Sequence, residues 1–84
     1  MYRIPVIDMA GTGARITELR VRAGITVREL QHMLGFSTPQ AIYSWQQGRA
    51  LPTIDNLAAF ACICGVSIDE VLVYEAPVSE RHTA

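Results

Sequence analysis

The sequence predicts a compact all-α domain of five helices, preceded by a short extended N-terminal segment. Glycine follows four of the predicted helices, at Gly24, Gly35, Gly48 and Gly65, where it can adopt the left-handed turn that ends a helix. A serine or threonine precedes every predicted helix and can cap it. The apolar residues between these end signals recur at helical spacing. Because these local signals agree with one another, we expect a single well-defined fold.

The chain has 84 residues, enough for one small domain, and its hydrophobic fraction of 50% is ample for a core. No apolar run approaches the ~20 residues of a membrane-spanning helix, and the N-terminus lacks the apolar stretch of a secretory signal. We therefore expect a cytoplasmic protein that makes no use of a membrane. We divide the chain into an extended segment over residues 1–11, a helical domain over residues 12–75 and a flexible tail over residues 76–84.

The N-terminal segment has the period of a short strand. Tyr2, Ile4 and Val6 alternate with other residues, and Pro5 restricts such a strand to the edge of a sheet. A single strand in a helical protein needs a partner. Two alternatives remain open: the same strand of a second subunit in a two-fold dimer, or the surface of its own domain.

The first helix is predicted over residues 13–23, with Thr12 as its cap and Gly24 as its end. The second is predicted over residues 27–34, where Thr26 and Glu29 form a capping box. The positions expected to face the core are Ile16, Leu19 and Ala23 in the first helix, and Leu30, Met33 and Leu34 in the second.

The third helix follows the short link Gly35-Phe36-Ser37. Ser37 or Thr38 can cap it, Pro39 suits its first turn, and Gly48 can end it. Two short helices joined by a link that begins with glycine are typical of a helix-turn-helix. The apolar positions expected to face the core are Ala41, Ile42 and Trp45.

Two further helices complete the domain. Thr53 is expected to cap the fourth helix, and Ser67 and Glu70 form a capping box at the start of the fifth. The inward-facing positions are Leu57, Phe60, Ala61 and Cys64 in the fourth helix, and Ile68, Val71 and Leu72 in the fifth.

The sequence offers no chemistry for catalysis or for binding a metal. Cys62 and Cys64 point about 200° apart on a helix, and neither His32 nor His82 is close to them in sequence. We expect small, partly buried side chains at both cysteines and a solvent-facing His32. The motifs of hydrolases, phosphate-binding loops and zinc proteases are absent, so we expect neither an enzyme nor a cofactor.

The charges are unevenly distributed along the chain. Residues 11–53 contain five arginines and two glutamates, a net charge of +3, whereas residues 54–84 contain one arginine and five acidic residues, a net charge of −4. All seven basic residues are arginines, which suit bidentate contacts with phosphate or guanine. The positive half contains the third helix, which indicates a surface that faces phosphate.

The outer face of the third helix predicts its function. Gln40, Tyr43, Ser44 and Gln47 share a face without formal charge that is rich in hydrogen-bond donors and acceptors. Such a face contributes little to stability and suits the reading of base edges in the major groove. We therefore predict a DNA recognition helix. The predicted DNA-binding residues are Thr26, Arg28, Thr38, Pro39, Gln40, Tyr43, Ser44, Gln47 and Arg49.

At this point the sequence resembles the Cro/lambda-repressor-like helix-turn-helix domain, also called the xenobiotic-response-element type. The resemblance implies a five-helix DNA-binding domain, commonly dimeric, that regulates transcription. Small members of the family are often repressors or antitoxin-like partners. The segments that carry the resemblance are residues 16–20, 24–30, 34–36, 42–48, 52–57 and 65–72.

Four departures from the family pattern affect the binding site. One extra residue lies between Gly35 and Gly48, so it stays open which of Thr38, Pro39 and Gln40 leads into the groove. Gln31 stands where the family often has alanine, and it must slide past the helix contact or form a hydrogen bond within it. The other two departures are Val27, which replaces a phosphate-contacting glutamine, and Gln46, which replaces a glutamate.

In many relatives that glutamate pairs with the arginine that matches Arg20. Here we predict a neutral acceptor instead, with Arg20 bonded to Gln46 as a structural brace between the first helix and the recognition helix.

Two functions follow from these observations. The first is sequence-specific binding of double-stranded DNA by a transcriptional regulator, a small repressor that acts as a homodimer. The second is a protein-interaction module, or antitoxin-like partner, on the same fold and with little DNA binding of its own. The first is the leading hypothesis, and the net charge of −1 and the acidic C-terminal half lend the second some weight.

Overall fold

The computed structural model of the protein describes residues 4–75, and its five helices confirm the predicted fold class. The helices are α1 (Met9–Arg22), α2 (Val27–Leu34), α3 (Gln40–Gln46), α4 (Ile54–Cys64) and α5 (Ile68–Val71), and the strands are β1 (Val6–Ile7) and β2 (Tyr74–Glu75).

The helices enclose one hydrophobic core. Phe60 of α4 is the largest of its fully buried side chains, and α1, α2, α3 and α5 each add at least one buried side chain. Burying such side chains contributes roughly 1.5–3 kcal/mol each. The buried apolar residues are Ile16, Leu19, Leu30, Ile42, Trp45, Leu57, Phe60, Ala61 and Val71.

The start of α1 differs from the prediction. The helix begins at Met9 rather than Gly13, and Asp8 is its cap, with the carboxylate Oδ1 accepting from the backbone N–H of Gly11 at 2.9 Å. Aspartate is as good an N-cap as serine or threonine, so the rule that a hydroxyl residue precedes every helix missed it. The extended segment therefore ends at Ile7, four residues before the predicted boundary.

The N-terminal strand pairs within its own chain. β1 lies antiparallel to β2, with Val6 opposite Glu75 and Ile7 opposite Tyr74, which favours the second of the two alternatives for this segment. β2 was not predicted, because two residues are too few to show an alternating pattern. The predicted tail over residues 76–84 lies outside the described residues.

Thr12 has a role other than the predicted cap. Its side chain is fully buried, and its Oγ1 accepts from the backbone N–H of Val73 at 3.0 Å and donates to the carbonyl of the same residue at 3.3 Å. The Asp8 N–H donates to the Val73 carbonyl as well, at 2.8 Å. Thr12 thus fastens the chain after α5 to the first turn of α1.

Replacing Thr12 with valine should destabilise the domain by about 1–3 kcal/mol. Valine has nearly the same shape as threonine but leaves the half-buried Val73 N–H without its acceptor. A buried donor that has neither water nor a protein acceptor costs free energy. Urea unfolding followed by circular dichroism measures the change. Thr17→Val is the control, because Thr17 Oγ1 donates to a helix carbonyl, that of Gly13. An equal loss in both variants would contradict the role of Thr12.

The second, fourth and fifth helices begin as predicted. Both capping boxes are present, at Thr26–Glu29 and at Ser67–Glu70, and Thr53 Oγ1 accepts from the Asn56 N–H at 3.3 Å. The N–H and hydroxyl of Thr26 hold the pKa of Glu29 below its ordinary value. Its carboxylate is therefore charged at neutral pH and completes the cap of α2.

The start of α3 was predicted incorrectly. Neither Ser37 nor Thr38 caps it. Pro39 occupies the cap position without a side-chain hydrogen bond, and the first helical residue is Gln40. The end is as predicted, because Gly48 has a φ of 74° and the Arg49 N–H donates to the Ser44 carbonyl at 2.9 Å. This closure fixes Arg49 at the end of α3.

Some predicted core positions are exposed. Each lies at the margin of its apolar stripe, where the neighbouring helices do not reach, and short helices bury only a narrow stripe. These positions are Ala23, Met33, Ala41 and Ile68.

Among residues 4–75, no helix combines the length and the apolar character needed to cross a membrane.

Candidate nucleic-acid interface

The back of α3 is packed closely against α1. Ile42 and Trp45 are buried, and the ring of Trp45 meets Phe36 edge-on, with centroids 5.8 Å apart and planes at 71°. A Cβ atom placed on Gly13 would lie 2.4 Å from the Trp45 carbonyl oxygen and 2.7 Å from that of Gln46. The two backbones are therefore in direct contact at Gly13, which sets the position of α3.

The predicted hydrogen bond between Arg20 and Gln46 is present. Arg20 Nε donates to Gln46 Oε1 at 3.0 Å, and Arg20 Nη1 donates to the Ile25 carbonyl at 2.8 Å. One guanidinium thus joins α1, the turn before α2 and the end of α3. The Ile25 contact was not predictable from sequence, because any backbone carbonyl can accept a hydrogen bond.

Replacing Arg20 with alanine should cost about 1–3 kcal/mol of unfolding free energy and weaken DNA binding. Hydrogen bonds from charged donors are worth this much, and the loss frees the end of α3. Arg22→Ala is the control, because its exposed ion pair with Glu18, at 2.9 Å, contributes at most about 1 kcal/mol. Chemical unfolding and DNA titration of both variants check the prediction. If the Arg20 variant kept full stability and full DNA binding, Arg20 would have no structural role between α1 and α3.

Of the two alternatives for Gln31, the structure shows the hydrogen bond. Its Nε2 donates to the Phe36 carbonyl at 3.3 Å, between α2 and the link to α3. The Phe36 N–H in turn donates to the Gln31 carbonyl at 3.0 Å. The two bonds hold the turn of the helix-turn-helix.

The outer face of α3 brings together five of the predicted DNA-binding residues. They line a shallow depression of about 380 Å³, called here the α3 depression. Tyr43 is 46% exposed and Ser44 is half-buried, so both offer hydroxyl groups to a ligand in the depression. The lining residues are Gln40, Tyr43, Ser44, Gln47 and Arg49.

The chemistry of the α3 depression suits DNA. Arg49 carries the one formal charge of its lining, and the other four side chains are amides or hydroxyls that both donate and accept. Arg49 can neutralise a phosphate, whereas the uncharged groups can match the donors and acceptors of base edges. No carboxylate lines the depression, so nothing in it repels the DNA backbone.

The other four predicted residues do not line the α3 depression. Thr38 is exposed and Pro39 is half-buried, both just before α3. Thr26 and Arg28 lie at the start of α2 and are exposed, but the Thr26 hydroxyl and N–H are both engaged with Glu29. The Glu29 carboxylate, in the first turn, also lowers the positive potential at this helix end.

The cysteines follow the sequence expectation only in part. Both are free thiols, with Cys62 exposed and Cys64 half-buried. Burial raises the pKa of the Cys64 thiol, and the nearby charge of Arg20 offsets part of that rise. Among the residues that the structure describes, no group of three or more metal-ligating side chains comes together.

Comparison with known proteins agrees with this arrangement. The helix-turn-helix family HTH_3 matches residues 16–71. No curated protein matches the chain.

Solved structures of similar fold include several regulators. The restriction-modification controller protein C.AhdI from Aeromonas hydrophila aligns with a TM-score of 0.68 at 20% identity, over 76% of this chain and 96% of that one. The clp gene regulator ClgR from Corynebacterium glutamicum aligns with a TM-score of 0.65 at 25% identity, over 75% and 80%. The DNA-binding domain of BldD gives 0.65 at 21%, over 77% and 93%.

The matched residues include the whole of α2 and α3 and the turn between them, as well as Arg20 and the last core residue, Val71. The chain therefore belongs to the Cro/lambda-repressor-like, xenobiotic-response-element family of helix-turn-helix domains.

Proposed function

We propose that the chain is a sequence-specific regulator of transcription that binds double-stranded DNA, acting in the cytoplasm as a small repressor and as a homodimer. The observation that carries this proposal is the α3 depression, where four uncharged hydrogen-bonding side chains and one arginine share the outer face of a braced helix. An α-helix fits the major groove of B-DNA, and this helix presents the groups that such a groove can match.

The residues that line the depression fall into two groups, those proposed to contact bases and those proposed to contact phosphates. Gln40, at the first turn of α3, is placed to pair its amide with adenine, and Ser44 lies one turn further along the same face. Tyr43, Gln47 and Arg49 are assigned to phosphates. These contacts position the helix without reading sequence.

Four further contacts and the regulatory outcome complete the proposal. Thr38 and Pro39 precede the first turn of α3 and meet the DNA beside Gln40, while Thr26 and Arg28 approach the backbone from α2. A domain that fills the major groove of a promoter excludes other proteins from it, so repression follows from occupancy alone. Two copies on half-sites about one helical turn apart supply the affinity that one short helix lacks.

Selection from a randomised duplex pool, followed by fluorescence anisotropy, tests the proposal. The selected duplex should bind about 10³-fold or more tightly than a scrambled duplex of equal length. Affinity should also fall steeply with salt, with a slope of about −0.9 for each phosphate contact. Equal affinity for the selected and the scrambled duplex would contradict sequence-specific recognition.

The charge distribution favours one other function. Residues 54–84 carry a net charge of −4, which suits a basic protein partner better than DNA. A protein-interaction module would show no electrophoretic shift with duplex DNA at low salt, even at tens of micromolar protein. A shift under these conditions would exclude a module without DNA binding of its own.

A further inference from the structure

The first turn of α1 is attached to the chain that follows α5. The Asp8 N–H donates to the Val73 carbonyl at 2.8 Å, and the Thr12 hydroxyl accepts from the Val73 N–H at 3.0 Å. We call Asp8, Thr12 and Val73, joined by these bonds, the Val73 junction. All three residues lie outside residues 16–71, so the match to the helix-turn-helix family does not account for the junction.

The first turn of α1 has few other contacts that hold it in place. Asp8, Met9 and Ala10 are exposed, and the bond from the Gly11 N–H to the Asp8 carboxylate lies within the turn itself. Exposed helix ends with few buried contacts open easily. The Val73 junction, continued by the pairing of β1 with β2, therefore keeps this turn helical and fixed to the domain.

The same turn lies directly against the end of α3. A Cβ atom placed on Gly48 would lie 2.9 Å from the Ala10 Cα, 3.1 Å from the Ala10 nitrogen and 3.1 Å from the Met9 carbonyl oxygen. The other three glycines with positive φ among residues 4–75 have nothing within 4 Å of the Cβ position. Gly48 is thus the one left-handed glycine of the described chain against which another helix packs.

The backbone at Gly48 determines where Arg49 lies. α3 has seven residues, too few to be stable alone, so contacts with α1 hold its end. Arg49 is exposed, and the ion pairs among residues 4–75 join Glu18 to Arg15 and Arg22. Because no carboxylate of the described chain pairs with the Arg49 guanidinium, the place of this side chain depends on the backbone that carries it.

We propose that Thr12 is a positioning residue for the phosphate contact of Arg49. Through Val73 it holds the first turn of α1, and that turn in turn holds Gly48. A hydrogen bond weakens when its donor and acceptor separate beyond about 3.2 Å, so Arg49 keeps its contact only while Gly48 stays in place. This inference rests on the proposed function, in which Arg49 binds a phosphate of the DNA.

Fluorescence anisotropy with the selected duplex at several salt concentrations tests the proposal. Thr12→Val should weaken binding about threefold and make the salt slope shallower by about 0.5, since each phosphate contact contributes about 0.9. The titrations are run at about 10 °C, and circular dichroism confirms that each protein is folded. A loss of folded protein alone would lower the apparent affinity equally at every salt concentration and leave the slope unchanged.

Thr17→Val is the matched control. It makes the same chemical change on α1, but the hydroxyl that it removes donates to a carbonyl of the same helix, that of Gly13. The control should bind with the affinity and the salt slope of the wild-type chain.

Combination with Arg49→Ala separates positioning from stability. When Arg49 is already alanine the phosphate contact is gone, so Thr12→Val should change the affinity by less than about 1.5-fold and the slope not at all. Two independent sites would instead add their effects in full.

Gly48→Ala tests the same contact from the other side. Its Cβ would displace the first turn of α1 or the end of α3, and the slope should become shallower by about 1. Gly65→Ala is its control, because Gly65 has a similar φ, 71°, and no atom within 4 Å of the Cβ position. The control should leave the slope unchanged.

Equal salt slopes for Thr12→Val, Thr17→Val and the wild-type chain would overturn this inference and leave the proposed function in place. Full additivity of Thr12→Val and Arg49→Ala would overturn it as well, as would a Gly48→Ala variant with the slope of Gly65→Ala. A wild-type chain that binds no duplex would overturn the proposed function together with this inference.

Discussion

Replacing Gly13 with alanine should destabilise the domain by about 3 kcal/mol or more, a large share of the roughly 4–13 kcal/mol expected for a chain of this length. The added Cβ would lie 2.4 Å and 2.7 Å from two backbone carbonyl oxygens of α3. Backbone atoms cannot move aside as a flexible side chain can. Alanine gains about 1 kcal/mol in helix propensity over glycine, and the clash outweighs this gain.

Chemical unfolding of Gly13→Ala and of Gly24→Ala checks this prediction. Gly24 has a φ of 73° with no atom within 4 Å of the Cβ position, so its alanine variant meets only backbone strain, about 1 kcal/mol. The Gly13 variant should be the less stable by about 2 kcal/mol. If the two variants lose the same stability, the close contact between α1 and α3 is not what restricts residue 13.

Replacing Gln40 with alanine should remove discrimination at one base pair of the half-site, a loss of about 1–3 kcal/mol or roughly 5- to 150-fold in specificity. Gln40 is exposed, so its loss should leave stability unchanged to within about 0.5 kcal/mol. Anisotropy titrations against the selected duplex and its three single-base variants at that position measure the change.

Arg49→Ala is the companion variant for this experiment. Arg49 is assigned to phosphate, so its removal should weaken binding to all duplexes alike and reduce the salt slope by about 1. A Gln40 variant that behaves like the Arg49 variant would place Gln40 on the backbone of the DNA and not in the groove.

The helices that surround the candidate site were largely predictable, because the residues that begin and end a helix lie close together in sequence. Capping boxes at Thr26 and Ser67 and left-handed glycines such as Gly35 depend on residues a few positions apart. The hydrogen bond between Arg20 and Gln46 is long-range, and only the family resemblance indicated it.

Two of the errors come from contacts between distant parts of the chain. Thr12 reads as a cap, but it is buried because the segment after α5 returns to α1 and places Val73 beside its hydroxyl. That return also allows β1 to pair with β2, which two-residue strands cannot signal in sequence. The early start of α1 has a local cause instead, because Asp8 caps the helix as well as a threonine would.

The beginning of α3 was the least predictable part of the candidate site. The sequence Ser37-Thr38-Pro39 offers two hydroxyl caps, and the chain uses neither. Gln40 is consequently the first residue of α3 and lines the α3 depression, while Thr38 and Pro39 do not. We therefore propose that Gln40 leads into the groove.

We propose that Gln40 pairs with an adenine, and base substitution in the selected duplex is a direct test. Each adenine is replaced in turn by 7-deazaadenine, which lacks the N7 acceptor that a glutamine amide uses. At one position the substitution should weaken wild-type binding about tenfold and leave Gln40→Ala binding unchanged, a double-mutant cycle with a coupling of about 1.4 kcal/mol. An equal loss for both proteins at every adenine would contradict the claim.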